Sequence, residues 1–245
     1  SMTAGFFFNL LKVWTLKRMS FKILVEINSK RSNEMSKIYE VMKKYGRIMA
    51  EQPYPVGEAA KMILQTSEGV FATRDGADMG NLEEEDITQL DMDALPIPKS
   101  DVRAVVYSQT PFCQQALREA KPFRACLDDL AQIFGHTAYI VDGRDSNKSM
   151  GKSLVKALKN NEGCFVLKGI SKDGEGMGYT MTLGRTLYEA VVAMTVIEKS
   201  AEVFLLAEKL GGSKPIPKWE AKLMRKKYKK KYSRAEEAVR LVEVE

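Results

Sequence analysis

Side chains suited to nucleophilic or metal chemistry are scarce in this sequence, which has one histidine, His136, and three cysteines, Cys113, Cys126 and Cys164. The cysteines are odd in number and widely spaced, with no C-x-x-C pair. That pattern argues against a disulfide framework and against a thiolate metal centre, and it fits a reducing compartment. Cys164 lies in the apolar run Cys164-Phe165-Val166-Leu167 and reads as a core thiol, because nothing beside it stabilises a thiolate. His136 follows Gly135 after a helical stretch and reads as a surface or capping residue rather than a ligand. Glycine loops for phosphate are also missing. Gly169, Gly174, Gly176 and Gly178 match neither G-x-x-x-x-G-K-[ST] nor G-x-G-x-x-G, and Asp173 and Glu175 would repel phosphate, so a hairpin loop is expected there. Gly151-Lys152-Ser153 ends like a Walker motif, but no glycine stands five residues before Gly151.

The remaining chemistry lies in charge. The 245 residues carry a net charge of +6, and much of the excess falls between Lys222 and Arg234. There Lys222, Arg225, Lys226, Lys227, Lys229, Lys230, Lys231 and Arg234 have Tyr228 and Tyr232 among them. The segment reads either as a solvated helix face or as a surface for nucleic acid or a charged membrane. With 44% apolar and 29% charged residues the chain has enough material for a full core, as one large domain or two small ones. The apolar stretch from Phe6 to Trp14 is interrupted by Asn9 and Lys12, too short to span a bilayer, and lacks the features of a secretory leader. A cytoplasmic protein that does not enter the membrane is expected.

Periodicity supplies the scaffold. Met35, Ile38, Val41, Met42, Tyr45, Ile48 and Met49 recur at helical steps from Glu34 to Ala50. Phe21–Ile27 reads as a strand, Gly57–Gln65 as strand or helix, and Gly69–Thr73 as a strand ending in the turn Arg74-Asp75-Gly76. Strands are expected at Ile87–Met92, Asp101–Tyr107, Tyr139–Val141 and Cys164–Leu167. Thr110-Pro111 reads as cap and first position of a helix to Glu119; further helices are expected over Arg124–Phe134, Ser149–Asn160 and Thr182–Leu210. Gly211-Gly212 ends the last of these, and Pro215 and Pro217 form a stiff linker to a basic helix from Lys218 that lies outside the core. The expected organisation is an N-terminal extension over 1–33, a domain over 34–217 and a basic helical tail over 218–245.

Four stretches in order carry a resemblance. Gly69-Val70-Phe71-Ala72-Thr73-Arg74-Asp75-Gly76, then Met79-Gly80-Asn81-Leu82 and Glu85-Asp86-Ile87, is similar to a strand, a Thr-Pro-Ser/Thr-Gly turn and an "L-x-x-E-D-I" continuation. Asp101 to Pro111 looks like "P-D-V-x-A-V-V-H-x-H-S-P". Leu127 to Gly135 resembles the helix that follows. Cys164–Gly169 and the helix from Leu183 to Gly212 are similar to "L-L-x-x-H-G" and "A-x-x-x-x-E-x-x-A-x-x-x-L-A-x-x-x-G-G". Together they resemble the class II aldolase/adducin family over roughly Lys37 to Pro217.

The resemblance implies a three-layer α/β/α fold with a central mixed, mostly antiparallel sheet, and assembly as a homo-oligomer, a tetramer in the family's usual form. In active members three histidines hold a divalent metal that polarises a carbonyl. Here the matching positions are Tyr107, Gln109 and Lys168, so no metal ligand and no cofactor are expected. The family's acid/base helix has no counterpart, since only Asp93–Ser100 joins the flanking stretches. The resemblance places the phosphate cradle near Gly57, Glu58, Thr73, Arg74 and Gly76, where Glu58 and Asp75 would oppose a phosphate unless Arg74 or Lys168 offset them. Lys168 reads three ways, as half of a structural ion pair with Glu58 or Asp75, as an anion-binding cation, or as a Schiff-base nucleophile. Two functions follow. One is a metal-free protein that binds a small polar or anionic ligand or serves assembly or regulation, with Gly57, Glu58, Thr73, Arg74, Gly76 and Gln109 as ligand-binding residues. The other is a lyase or isomerase on a sugar-like substrate, with Lys168 and Tyr107 as catalytic residues.

Overall fold

The computed structural model describes residues 33–91, 102–119, 123–143, 147–159, 162–170 and 176–230, with the backbone alone described for 147–151, 167–170 and 176–177. The chain divides into two compact units, residues 1–40 and 41–245. Residues 33–50 are helical (α1); in the second unit Met42, Tyr45 and Met49 are buried from this helix at three- and four-residue spacing. The strand expected over Phe21–Ile27 lies outside the described residues.

The second unit is organised by one sheet. Its strands are β1 (Lys61–Gln65), β2 (Val70–Thr73), β3 (Ile87–Leu90), β4 (Ala104–Ser108), β7 (Ile140–Asp142), β8 (Gly163–Ile170) and β9 (Gly176–Gly184), in the order β3-β2-β1-β4-β9-β8-β7. All neighbours are antiparallel except the parallel pair β7 and β8. A separate antiparallel pair joins β5 (Phe123–Arg124) to β6 (Thr137–Ala138). Ala104, Val105 and Val106 of β4 are all fully buried, as a central strand covered on both faces requires. Helix α4 (Asn147–Leu158) covers one face, where Leu154, Ala157 and Leu158 pack on Val105, Val141, Cys164, Val166 and Met181. On the other face α2 (Pro111–Arg118), α3 (Asp128–Phe134) and α5 (Leu187–Lys209) surround Phe165, whose ring meets Phe123 at 5.4 Å. The fold is thus the expected three-layer α/β/α arrangement around a mixed, mostly antiparallel sheet.

Several boundaries differ from the expectation for identifiable reasons. The helix expected from Thr182 begins at Leu187, and Thr182 belongs to β9. Thr180, Met181, Thr182 and Leu183 are all buried; Met181 and Leu183 pack toward α4, while the Thr182 hydroxyl donates to the Ala190 carbonyl of α5. Thr186 caps α5 by accepting from the Glu189 amide, and the Glu189 carboxylate accepts from the Arg185 amide at 2.6 Å, which fixes the start of the helix. The hairpin expected across the glycines is formed by the antiparallel pair β8 and β9, with Gly169 in β8 and Gly176 and Gly178 in β9, while 171–175 lie outside the described residues. The helix expected from Arg124 starts at Asp128, because Phe123 and Arg124 pair with β6.

The basic segment docks instead of standing outside the core. Residues 218–230 form helix α6, which buries Ala221 and Arg225 and packs Met224 and Tyr228 against α3 and α5. Arg225 Nη1 donates to the carbonyls of Gln132, at 2.8 Å, and Ile133, in the last turn of α3, where four carbonyls lack intrahelical partners. Its Nη2 lies 2.5 Å from a Glu162 carboxylate oxygen, which Lys229 also approaches at 3.6 Å. Arg225 and Tyr228 therefore face protein, which removes them from the polyanion surface the charge run suggested, whereas Lys229 stays exposed beside Glu162. Lys231, Tyr232 and Arg234 lie outside the described residues. Arg225→Ala should lower unfolding stability by roughly 3–5 kcal/mol, because it strands Glu162 and the α3 carbonyls. Urea denaturation measures this, and a loss under about 1 kcal/mol, the size of an exposed ion pair, would contradict the docking.

Candidate functional site

Strand polarity gathers the candidate residues at one end of the sheet. Antiparallel pairing puts the end of β4 beside the start of β1 through Lys61 opposite Tyr107, and beside β9 through Ser108 opposite Thr180. The end of β8 joins them through Leu167 opposite Gly178. The turn that follows β2 reaches the same end. Tyr107, Gln109, Lys168 and the Thr73–Gly76 turn, far apart in sequence, thus share one rim.

Tyr107 is partly buried on the α4 face, its ring set edge-on to that of Tyr179 with centroids 5.2 Å apart. Burial pushes its phenol well above the ordinary range, with Tyr179 and Cys164 adding smaller contributions in the same direction. The phenol is therefore a neutral hydrogen-bond donor at neutral pH and is unsuited to act as a base. The Gln109 side-chain amide donates to the Gly178 carbonyl at 3.0 Å, and its backbone amide donates to the Val56 carbonyl at 2.8 Å. Gln114 from α2 donates to the same Gly178 carbonyl at 3.1 Å. Lys168 sits at a break in the β8–β9 register, between the pairs Leu167–Gly178 and Gly169–Met177. Such a bulge re-aims side chains at a sheet end; the side chain of Lys168 itself lies outside the described part.

Gly57 belongs to this cluster. Its backbone has φ +83°, and a Cβ there would come within 2.6 Å of the Gln109 Cβ. Glu58, next to it, is exposed. Gly76, also at positive φ, has open space around it.

The cradle residues are committed to other partners. Thr73 is fully buried, and its hydroxyl accepts from the Met62 amide at 3.0 Å. The Arg74 guanidinium lies 2.6 Å from Asp86, whose carboxylate also accepts from the Glu83 amide. Asp75 is offset by Lys61 at 2.7 Å, a partner that the sequence did not suggest. Lys61, Gln114 and Tyr179 were not singled out in the sequence. Lys61 could have been found had the Gly57–Gln65 segment been fixed as strand; Tyr179 falls between the expected glycine loop and the expected helix from Thr182, where no element is expected.

His136 stands apart, immediately before β6, where its Nδ1 shares a 2.9 Å hydrogen bond with Thr137 Oγ1. Its pKa is lowered first by burial and then by Arg124 and Lys218. Among the described residues, no group of three His, Cys, Asp or Glu side chains is placed to hold a metal ion. No described helix is long and apolar enough to cross a membrane. A cavity of about 170 Å³ opens at the opposite end of the sheet, beside Gly184, Glu162, Arg185, Glu189 and Lys229. Its charges are already paired, Arg185 with Glu189 and Lys229 with Glu162.

This sheet order and layering define a class II aldolase-like domain. The structure is similar to an L-fuculose 1-phosphate aldolase, with 17% identity, a TM-score of 0.65, and coverage of 79% of this chain and 97% of that one. It is also similar to L-fuculose-1-phosphate aldolase from Thermus thermophilus, at 19% identity and TM-score 0.56, covering 74% and 100% of the two chains. An aldolase II superfamily protein from Pseudomonas syringae matches at 12% identity and TM-score 0.56, covering 80% and 85%. No protein-family model and no curated protein matches the chain. At these identities the likeness speaks for the fold.

Gly57→Ala should cost roughly 2–4 kcal/mol, from positive φ and from the collision with Gln109, whereas Gly76→Ala, strained but unobstructed, should cost about 1–2 kcal/mol. Thermal or urea unfolding of the two variants checks the ordering. Equal losses would mean that Gly57 does not press on Gln109.

Proposed function

We propose that this is an aldolase-fold protein that works without a bound metal and takes a small polar or anionic ligand at the rim formed by Tyr107, Gln109, Gly57 and Lys168. The observation that carries the reading is the contact between the Gln109 amide and the Gly178 carbonyl. A side chain at a position the resemblance gives to an imidazole is instead spent holding strand β9.

The donor set supports the same conclusion. Zinc sites are built from thiolate, imidazole and carboxylate donors. Tyr107 offers a phenol that burial keeps protonated, Gln109 a neutral carboxamide, and position 168 an ammonium. These residues do not fit a divalent cation. They fit a ligand with acceptor atoms, to which a phenol O–H donates and a lysine adds positive charge. Thr73 and Arg74 are left out of the binding set because Met62 and Asp86 already hold them. Glu58 adds a carboxylate that disfavours a phosphate dianion, so singly charged or neutral polar ligands suit the rim better.

Calorimetric titration with monocarboxylates, neutral polyols and sugar phosphates tests the reading. An anionic member of this set should bind, and Lys168→Ala should weaken it by roughly 10- to 100-fold, the loss of one charge-assisted hydrogen bond. Binding of any member at full strength after Lys168→Ala and Tyr107→Phe together would remove these residues from the site.

A further inference from the structure

Ser108, Thr110 and Thr180 are at most 1% exposed, yet none of their hydroxyls has a nitrogen or oxygen hydrogen-bond partner among the described residues. Buried hydroxyls left without partners each cost about 1–3 kcal/mol, so three in one place call for a common partner. They do share one place. Ser108 and Thr180 are directly opposite on β4 and β9, and Thr110 follows two residues after Ser108. The Cys113 thiol, fully buried at the start of α2, is within weak hydrogen-bonding reach of Thr110, Thr180 and Glu198, but a single S–H donates to only one of them at a time and its sulfur is a weak acceptor, so it does not satisfy the group. Tyr54, with a buried hydroxyl, lies beside Thr195, Glu198 and Cys113.

Glu198 adds the second half of the requirement. Its carboxylate, on α5 and 1% exposed, accepts from the Phe112 and Cys113 amides, one on each oxygen, both at 2.9 Å. It thereby replaces Thr110 as the cap of α2, since the Thr110 side chain makes no capping bond. An ionised carboxylate has about four acceptor sites, and two amides use only half of them. The neighbourhood therefore combines hydroxyls, which can donate or accept, with unfilled carboxylate acceptors.

We propose that Ser108, Thr110, Thr180 and Glu198 hold an internal water site that ties the β4–β9 seam to helices α2 and α5. Water suits the place because it donates two hydrogen bonds and accepts two, and buried waters ordinarily make two to four such bonds. Its donors go to Glu198 and one hydroxyl; its acceptor sites take the other hydroxyls. The site lies across the sheet from Tyr107 and Tyr179, and the residues that hold it flank Gln109 and adjoin Tyr179.

Two measurements on the full chain decide the matter. A crystal structure that resolves ordered solvent should place a water within hydrogen-bond distance of at least two of the three hydroxyls. Hydroxyls paired with one another or with main-chain carbonyls, with no solvent peak between them, would overturn the proposal. In thermal unfolding, Ser108→Ala and Thr180→Val should each lower the midpoint by roughly 2–10 °C, while Thr180→Ser restores most of the loss. The double variant should fall well short of the summed losses, because both side chains lean on one water. Additive losses would show independent hydroxyls and refute the bridge.

Discussion

The structure depends on the pairing of β4 with β9 at the centre of the sheet, which runs unbroken from Ala104 opposite Gly184 to Ser108 opposite Thr180. Everything at the rim inherits its position from that register. A slip of one residue would exchange the two faces, sending Tyr107 toward α2 and α5 and Ser108 toward α4. At the rim the register is pinned beyond the ladder itself, because Gln109 and Gln114 converge on the single carbonyl of Gly178. A carbonyl with two lone pairs can satisfy both amides, so the two bonds reinforce each other.

Buried charges settle how the helices meet that sheet. Glu198 caps the start of α2 and Arg225 the end of α3, each from an element distant in sequence. A carboxylate belongs at a helix N-terminus and a guanidinium at a C-terminus on dipole grounds alone. Glu198 also replaces a side-chain cap that Thr110 does not provide, while Arg225 adds to the local glycine cap at Gly135. Neither helix can shift without stranding a charge, and that directional penalty, more than net stability, is what a buried ion contributes.

Much of this was legible in the sequence where signal and packing coincide. The apolar run at Ala104–Val106 and the helical repeat in Met42, Tyr45 and Met49 both reflect burial directly. The four ordered stretches from Gly69 to Gly212 anticipated the layers and the sheet. Strand β9 is obscured in the sequence because its glycines imitate a loop and Leu183 and Leu187 fall four apart by coincidence. Long-range partners leave no local mark. Lys61 with Asp75, Arg74 with Asp86 and Arg225 with Glu162 join residues that only the folded topology brings together. The cradle residues share the rim with Tyr107 and Gln109, yet their availability depends on those pairings.

The central proposal is that protein–protein contacts and a neutral phenol stand where the resemblance puts a metal centre. Anomalous diffraction at the zinc absorption edge, from crystals soaked in excess zinc, tests it most directly. The account predicts no anomalous peak among Tyr107, Gln109 and Lys168, with the Gln109 amide still on the Gly178 carbonyl. A peak there with tetrahedral protein coordination, and Gln109 released from Gly178, would contradict it.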